Sequence, residues 1–302
     1  MKLKKFLALT AAVVMTMSMA VGCGSNEGGN DEGTDNTAEF DTSYEISVVS
    51  REEGSGTRGA FIELFGIEQK DEKGEKVDYT TDEANFTNST SVMMSTVAGD
   101  EYAIGYVSLG SLNDTVKALK VDGAEATEEN IKNGTYKVAR PFNIATKGDI
   151  SELAQDFIDF ILSTEGQAVV SENGYIELDG VTAYEGTKPA GKIVIAGSTS
   201  VSPVMEKLKE AYIAINPDAD IQIQTNDSST GMSMTAEGTC DIGMASRELK
   251  EDEIANGLTG TVIATDGIAV IVNQANTLDD IASEQVKDIY VGDTITWDEI
   301  IK

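Results

Sequence analysis

From Glu45 onward, short apolar runs of β type alternate with helical stretches, and after a connector at Gly180–Lys192 the same alternation starts a second time. Glu45–Val49, Ala103–Val107 and Phe142–Thr146 read as strands, and Arg58–Phe65 and Glu152–Leu162 as helices. Leu153, Phe157, Phe160 and Ile161 fall on one side of the latter at helical spacing. After the connector, marked by Gly186, Pro189 and Gly191, come a strand at Ile193–Ala196 and a helix at Pro203–Ile215, with proline near its first turn. Further strands are expected at Ile221–Gln224, Asp241–Met244, Thr261–Ala264 and Ile268–Asn273, and a helix at Ser283–Val291. Strands separated by helices predict an α/β fold with a largely parallel sheet in each of two domains, and 302 residues are enough to give both a core.

Three loops of this pattern share one design, small polar residues followed by a helix. They are Arg51-Glu52-Glu53-Gly54-Ser55-Gly56-Thr57-Arg58, Gly197-Ser198-Thr199-Ser200-Val201-Ser202-Pro203 and Asn226-Asp227-Ser228-Ser229-Thr230-Gly231, the last expected to feed a short helix near Met232–Glu237. The first N–H groups of a helix have no intrahelical partner and sit at the positive end of its dipole. A tetrahedral oxyanion accepts such N–H groups, Ser and Thr add hydroxyl donors, and glycine lets the backbone curl close. Arg51 adds a planar fork suited to two oxygens, with Glu53 as the expected group to hold it. Each loop alone is also what ordinary helix capping looks like; the three with one arginine point to oxyanion binding.

Other chemistries are excluded by composition. The chain has no histidine, so neither a Ser-His-Asp nor a Cys-His catalytic unit can be built. Two cysteines, Cys23 and Cys240, are too few for a zinc cage, and no P-loop motif occurs. The net charge of -30, from 52 acidic and 22 basic residues, repels nucleic acid and acidic lipid headgroups. The methionines at 93, 94, 232, 234 and 244, Trp297 and a buried Cys240 thiol are expected to be packing residues, and no cofactor is implied.

Lys2, Lys4 and Lys5 followed by the apolar run Phe6–Val21 read as an export signal (residues 1–23), and Ala20-Val21-Gly22-Cys23 resembles a bacterial lipobox, with Cys23 lipidated as the new N-terminus. Residues 24–43 are rich in Gly, Asn, Asp and Glu and read as a flexible tether, with no membrane span after Tyr44. This combination predicts a lipid-anchored protein on the extracellular face of the cytoplasmic membrane.

Four segments, Ser50-Arg-Glu-Glu-Gly-Ser-Gly-Thr-Arg, Ile195-Ala-Gly-Ser-Thr-Ser-Val, Asp241-Ile-Gly-Met-Ala-Ser-Arg-Glu-Leu and Asp266-Gly-Ile-Ala-Val-Ile-Val-Asn, resemble the phosphate-binding proteins of bacterial phosphate-specific ABC transporters. The resemblance covers nearly all of Glu45–Lys302. It implies a two-domain, type II periplasmic-binding-protein-like fold, each domain a mixed sheet flanked by helices, that closes over inorganic phosphate and hands it to ABC permease subunits, as a monomer and not an enzyme. It places the ligands on Arg51, Ser55, Gly56, Thr57, Thr199, Ser200 and Ser228 or Ser229, with Ser198 and Ser246 as secondary candidates. Where some family members carry an aspartate that accepts the proton of hydrogen phosphate, this chain has Arg247; Asp266, Glu53 or a backbone carbonyl is left to take that role. A receptor for another tetrahedral oxyanion, or a surface lipoprotein with an adhesion or signalling role, are the competing readings.

The order of motifs also departs from the family, in which the Gly-Ser-Thr loop precedes the Arg-Glu-Glu-Gly-Ser-Gly-Thr loop. Here the latter comes first, and the segment Asp288–Ile301, which in the family leads into it, closes the chain. The resemblance therefore implies a circular permutation. One domain would be assembled from 44–139 and 269–302, the other would be continuous over 140–268, and hinges would lie near Arg140–Thr146 and Asp266–Asn273.

Overall fold

The computed structural model describes residues 40–301. The expected signal segment, Cys23 and the tether as far as residue 39 lie outside the described residues. In chain order the elements begin with β1 (Ser47–Arg51), α1 (Gly56–Leu64), a small hairpin of β2 (Glu68–Lys70) and β3 (Lys76–Asp78), then β4 (Asn85–Thr87), α2 (Thr90–Gly99) and β5 (Ala103–Ser108). They continue with β6 (Lys117–Ala118), β7 (Lys120–Val121), α3 (Glu128–Lys132), β8 (Ala139–Lys147), α4 (Glu152–Ile161), α5 (Thr164–Glu172) and β9 (Gly191–Ser198). The remainder is α6 (Ser202–Ile215), β10 (Ala219–Asn226), α7 (Ser228–Glu237), β11 (Ile242–Ala245), α8 (Glu251–Ala255), β12 (Leu258–Val272), β13 (Asp280–Ile281) and α9 (Ser283–Val291).

The main sheet runs β10-β9-β11-β8-β12-β5-β1-β4, with β6 added alongside β12. Its two ends are parallel: β10 and β11 flank β9 at one end, and β4 and β5 flank β1 at the other. The middle is antiparallel, because β8 pairs antiparallel with both β11 and β12, and β12 with β5. The two strands expected at Thr261–Ala264 and Ile268–Asn273 are one, β12, with a bulge between Val262 and Ala264. The polar Thr265-Asp266-Gly267 stretch that reads as a break is accommodated inside the strand because Asp266 is paired to Arg140 and Ser108. The sheet is thus mixed and continuous rather than largely parallel in two separate pieces.

Apolar side chains gather into two principal clusters. One takes Val49, Phe61, Met93, Tyr106, Ile271 and Trp297, hence residues from both ends of the described chain. The other takes Phe142, Phe157, Ile195, Leu208, Met244 and Ile263. Strand β12 contributes Ile263 and Ala264 to the second and Ile268–Val272 to the first, so it passes from one to the other around Asp266. The apolar stripe of α4 faces the second cluster, and Ser151 caps that helix by accepting from the Ala154 amide.

Residues 40–43, read above as the end of a flexible tether, are packed. Phe40 is buried against Tyr102 and Trp297, and the Asp298 amide donates to the Thr42 carbonyl at 2.7 Å. The Ile46 amide donates to Ile295 O at 2.8 Å and the Trp297 amide to Tyr44 O at 3.3 Å. Among the methionines, Met93, Met94, Met232 and Met244 are buried, as are Trp297 and the free thiol of Cys240. Among the described residues no helix is long and apolar enough to cross a membrane.

Candidate functional site

Strand β1 delivers Arg51 at its C-terminal end, and the turn after it feeds α1, whose N-cap is Ser55. Strand β9 delivers Ser198, and the following turn delivers Thr199 and Ser200 ahead of α6. Gly197 sits at φ 137°, a conformation open to glycine, and a Cβ there would collide with the Met244 carbonyl of β11. Strand β10 leads to Asp227, which caps α7 and places Ser228 at its first position, while β11 ends at Ala245 and is followed directly by Ser246. Parallel strands ending at helix N-termini thus carry every loop to one place, and the small side chains let them meet.

The contacts among these loops form a ring. Thr57 Oγ1 and Ser200 Oγ are 2.7 Å apart, and Arg51 Nη2 donates to Thr199 Oγ1 at 3.0 Å. Ser198 Oγ donates to Ser246 Oγ at 3.0 Å, and Ser228 Oγ accepts from the Ser246 amide at 3.2 Å. Gly56 packs against this pair so tightly that a Cβ on it would sit 2.5 Å from Ser228 Oγ and 2.7 Å from Ser246 Oγ. Arg51, Ser55, Gly56, Thr57, Ser198, Ser200, Ser228 and Ser246 are all buried. Ser55 Oγ accepts from the Arg58 amide and so completes the α1 cap rather than facing the ring. Ser229 stands at the edge, its amide and hydroxyl both donating to the Gly54 carbonyl at 3.3 Å.

A further hydroxyl belongs to the ring that the motifs did not identify. Thr90, the first residue of α2, lies 3.3 Å from both Thr199 Oγ1 and Ser200 Oγ and accepts from Arg51 Nη1 at 3.4 Å. Its signal was in the sequence, since Asn88-Ser89-Thr90-Ser91 is another run of small polar residues ahead of a helix, capped by Ser89.

The charged groups differ from expectation in three respects. Arg51 is held by Glu52, not Glu53: Nε donates to Oε2 at 2.8 Å and Nη2 to Oε1 at 2.7 Å, while Glu53 lies in the turn and is exposed. Arg247 is turned to the edge, where it pairs with Glu253 at 2.7 Å and donates to Ser229 Oγ. Asp266 is fully buried behind the ring and spent on Arg140 at 3.1 Å and Ser108 at 2.9 Å. Burial pushes its carboxyl up, against the pull of Arg140. Neither Asp266 nor Glu53, the carboxylates expected to accept the proton, contacts a ring hydroxyl, and Arg247 reaches Ser229 at the edge. Tyr106, whose phenol burial pushes up, accepts from the Arg51 amide at 3.0 Å and steadies the end of β1.

Chemically, the ring presents hydroxyls, helix N-termini and one guanidinium whose outer edge is occupied by Glu52. Such a set satisfies a small oxyanion with donors on several sides and holds no nucleophile–base pair. A model of the PBP superfamily domain matches residues 39–165 and 182–301. The chain belongs to this superfamily. The match includes every loop of the ring. Among its relatives, the phosphate-binding protein PstS 2 of Streptococcus agalactiae is 55% identical over 304 residues, covering 100% of both chains. The protein of the same name in Streptococcus pneumoniae is 44% identical over 301 residues, 99% of this chain and 100% of that one. A solved phosphate-binding protein of a phosphate ABC transporter from Streptococcus pneumoniae superposes with a TM-score of 0.68 at 47% identity, covering 85% of this chain and 99% of that one. The α/β, type II binding-protein fold is therefore that of the superfamily, whose members of this kind are receptors.

Proposed function

We propose that this chain captures inorganic phosphate and presents it to the permease subunits of an ABC importer. The observation that carries the reading is the ring of Arg51, Thr57, Thr90, Thr199, Ser200, Ser228 and Ser246, buried but for the half-buried Thr199 and drawn from distant parts of the chain. The site residues act as donors: Arg51 supplies a fork to two oxygens, Ser55–Thr57 and Ser228 present helix N-termini, and the hydroxyls fill the remaining directions. Names of the relatives and the solved neighbour support phosphate as the anion.

In this reading the two core clusters are two domains, 44–139 with 269–302 and 140–268, joined through β8 and β12 near Arg140 and Asp266. Opening about these strands admits the anion, and closure brings Arg51, Thr57 and Thr90 against Thr199, Ser200 and Ser228. The chain is a circular permutant of the usual family order. It is a monomer, anchored by a lipid on Cys23 at the extracellular face of the cytoplasmic membrane.

Isothermal titration with phosphate tests the function. Saturable binding at one site per chain is expected. No binding of phosphate at neutral pH, with the chain folded, would hand the site to another oxyanion or to the adhesion reading.

A further inference from the structure

The hydroxyl of Ser229 is spent outside the ring. It donates to the Gly54 carbonyl at 3.3 Å, and the Ser229 amide donates to the same oxygen at 3.3 Å. A carbonyl of the β1–α1 loop thus docks on the first turn of α7, where free N–H groups and the positive end of the helix dipole favour it. The approach is close because Gly54 has no side chain: at its φ of 90° a Cβ would sit 2.7 Å from Asp227 Oδ1.

Arg247 decides where the Ser229 proton goes. Its Nη2 donates to Ser229 Oγ at 3.2 Å, and a guanidinium cannot accept in return. The single hydroxyl proton is then left for Gly54, whereas a carboxylate in the same place would take it for itself. The guanidinium is fixed in turn by two hydrogen bonds to Glu253, at 2.7 and 2.9 Å, and one to the Glu248 carbonyl at 2.9 Å. Arg247 and Glu253 are both buried, so the pair is little screened by salt and the fork is held by protein groups alone.

We infer that Ser229, oriented by Arg247, is a clasp that joins the two lobes independently of the anion and sets how often the empty receptor is closed. The inference rests on the proposed reading of two lobes that close over phosphate. Other contacts across that division behave differently: Thr57 with Ser200 and Arg51 with Thr199 pair groups that an anion would draw to itself. The Ser229–Gly54 contact uses no ring hydroxyl, so it is kept whether or not the anion is bound. A form competent to bind that is only fractionally populated raises the apparent Kd in inverse proportion to that fraction. Loosening the clasp therefore weakens capture without touching the anion, and Arg247 is a positioning residue for it.

Spin labels on Val92→Cys and Lys207→Cys, exposed positions on α2 and α6, read the lobe-to-lobe distance across the open cleft between these helices. Without phosphate, the otherwise unaltered chain is expected to show a closed population, and Ser229→Ala and Arg247→Met to shift it to longer distances. Inorganic phosphate should restore the short distance in all three. In calorimetry each variant should bind phosphate about three- to tenfold more weakly. The double variant should fall no more than about twofold below the weaker single, because both act through one contact. A direct contact of Ser229 with the anion would lower affinity and leave the phosphate-free distance as it was. A phosphate-free distance that either variant leaves unchanged, or single losses that multiply in the double, overturns the clasp. Failure of inorganic phosphate to bind the unaltered chain overturns the underlying reading instead, since the distances are read without it.

Discussion

The hydroxyl oxygens of Thr57 and Ser200 lie 2.7 Å apart although 143 residues separate them in the sequence. Thr57 lies in the first turn of α1 and Ser200 in the turn ahead of α6, so their meeting is the closure of the ring in miniature. Thr57→Val keeps the shape and removes the hydroxyl. A lost hydrogen bond to a charged group is worth about 1.5–3 kcal/mol, so phosphate affinity should drop roughly ten- to hundredfold by calorimetry. Unchanged affinity would take Thr57 out of contact with the anion.

Arg51→Ala should weaken phosphate binding by about 2–5 kcal/mol, because a buried anion loses its one compensating cation. The neighbouring glutamates give a sharper test. Glu52 clamps the guanidinium through two hydrogen bonds, so Glu52→Ala should lower affinity by freeing the fork. Glu53 is exposed, and Glu53→Ala should change it by no more than about 0.5 kcal/mol. Equal effects from the two variants would mean that the clamp does not orient Arg51 for binding.

Sulfate offers a third test. Hydrogen phosphate donates a proton to an acceptor and sulfate cannot, so a buried carboxylate in contact with the anion separates the two strongly. Here Glu53 is exposed, Asp266 is committed to Arg140, and the ring itself is made of hydroxyls that serve as donor or acceptor. Sulfate should therefore bind within about a hundredfold of phosphate at neutral pH, and Asp266→Asn should not alter the ratio. Discrimination well beyond that, abolished in Asp266→Asn, would place the aspartate at the anion after all.

Much of this site was legible because its logic is local. A strand, a few small polar residues and a helix are enough to announce an N-terminus that faces outward, and the ring is where several such ends converge. Thr90 carried the same signature and went unread because no arginine or glycine marked its loop. The choice between Glu52 and Glu53 was not legible at all. Adjacent residues differ only in which way the turn points them, and Glu53 falls in the turn that swings outward. Nor was the unity of β12, since the Thr265–Gly267 interruption is accommodated through Arg140 and Ser108, 126 and 158 residues away.

Asp156 is an anchor of the connector before β9, alongside Glu165, which accepts from the Tyr184 amide at 2.8 Å. Asp156 of α4 accepts from the hydroxyls of Tyr184 and Tyr212 and from the Thr187 amide at 2.7 Å. Burial pushes the Asp156 carboxyl up, but these hydrogen bonds, with one from the Lys188 amide, outweigh it and hold the group below its ordinary value. A depressed folded-state value means that the stabilisation is present above the unfolded-state pKa of 3.8 and is lost as pH falls through the folded-state value. Asp156→Asn should cost about 1–3 kcal/mol at pH ~7 in urea unfolding, and the gap to wild type should narrow as pH falls below 3.8. A gap that does not narrow on acidification would assign the loss to packing rather than to the charge.

The same connector supplies the test of the permutation. Ile46, Tyr44 and Thr42 are hydrogen-bonded to Ile295, Trp297 and Asp298, so the two ends of the described chain run side by side. A short flexible linker from Ile301 to Thr42 then bridges positions that are already neighbours. New ends opened at Gly180, an exposed glycine at φ 73°, fall before Tyr184 and Thr187 and leave the Asp156 anchor intact. Residues at exposed turns tolerate such cuts, because few contacts cross them. The rearranged chain begins near Val181, and its Gly-Ser-Thr loop now precedes the Arg-Glu-Glu-Gly-Ser-Gly-Thr loop, as in the usual family order. It is expected to fold cooperatively and to bind phosphate within about threefold of the parent, since neither Arg51 nor Thr199 has moved relative to its strand. A product that folds, shown by a cooperative urea transition, yet binds more than about thirtyfold more weakly would show that the present order of the chain is needed to close the ring.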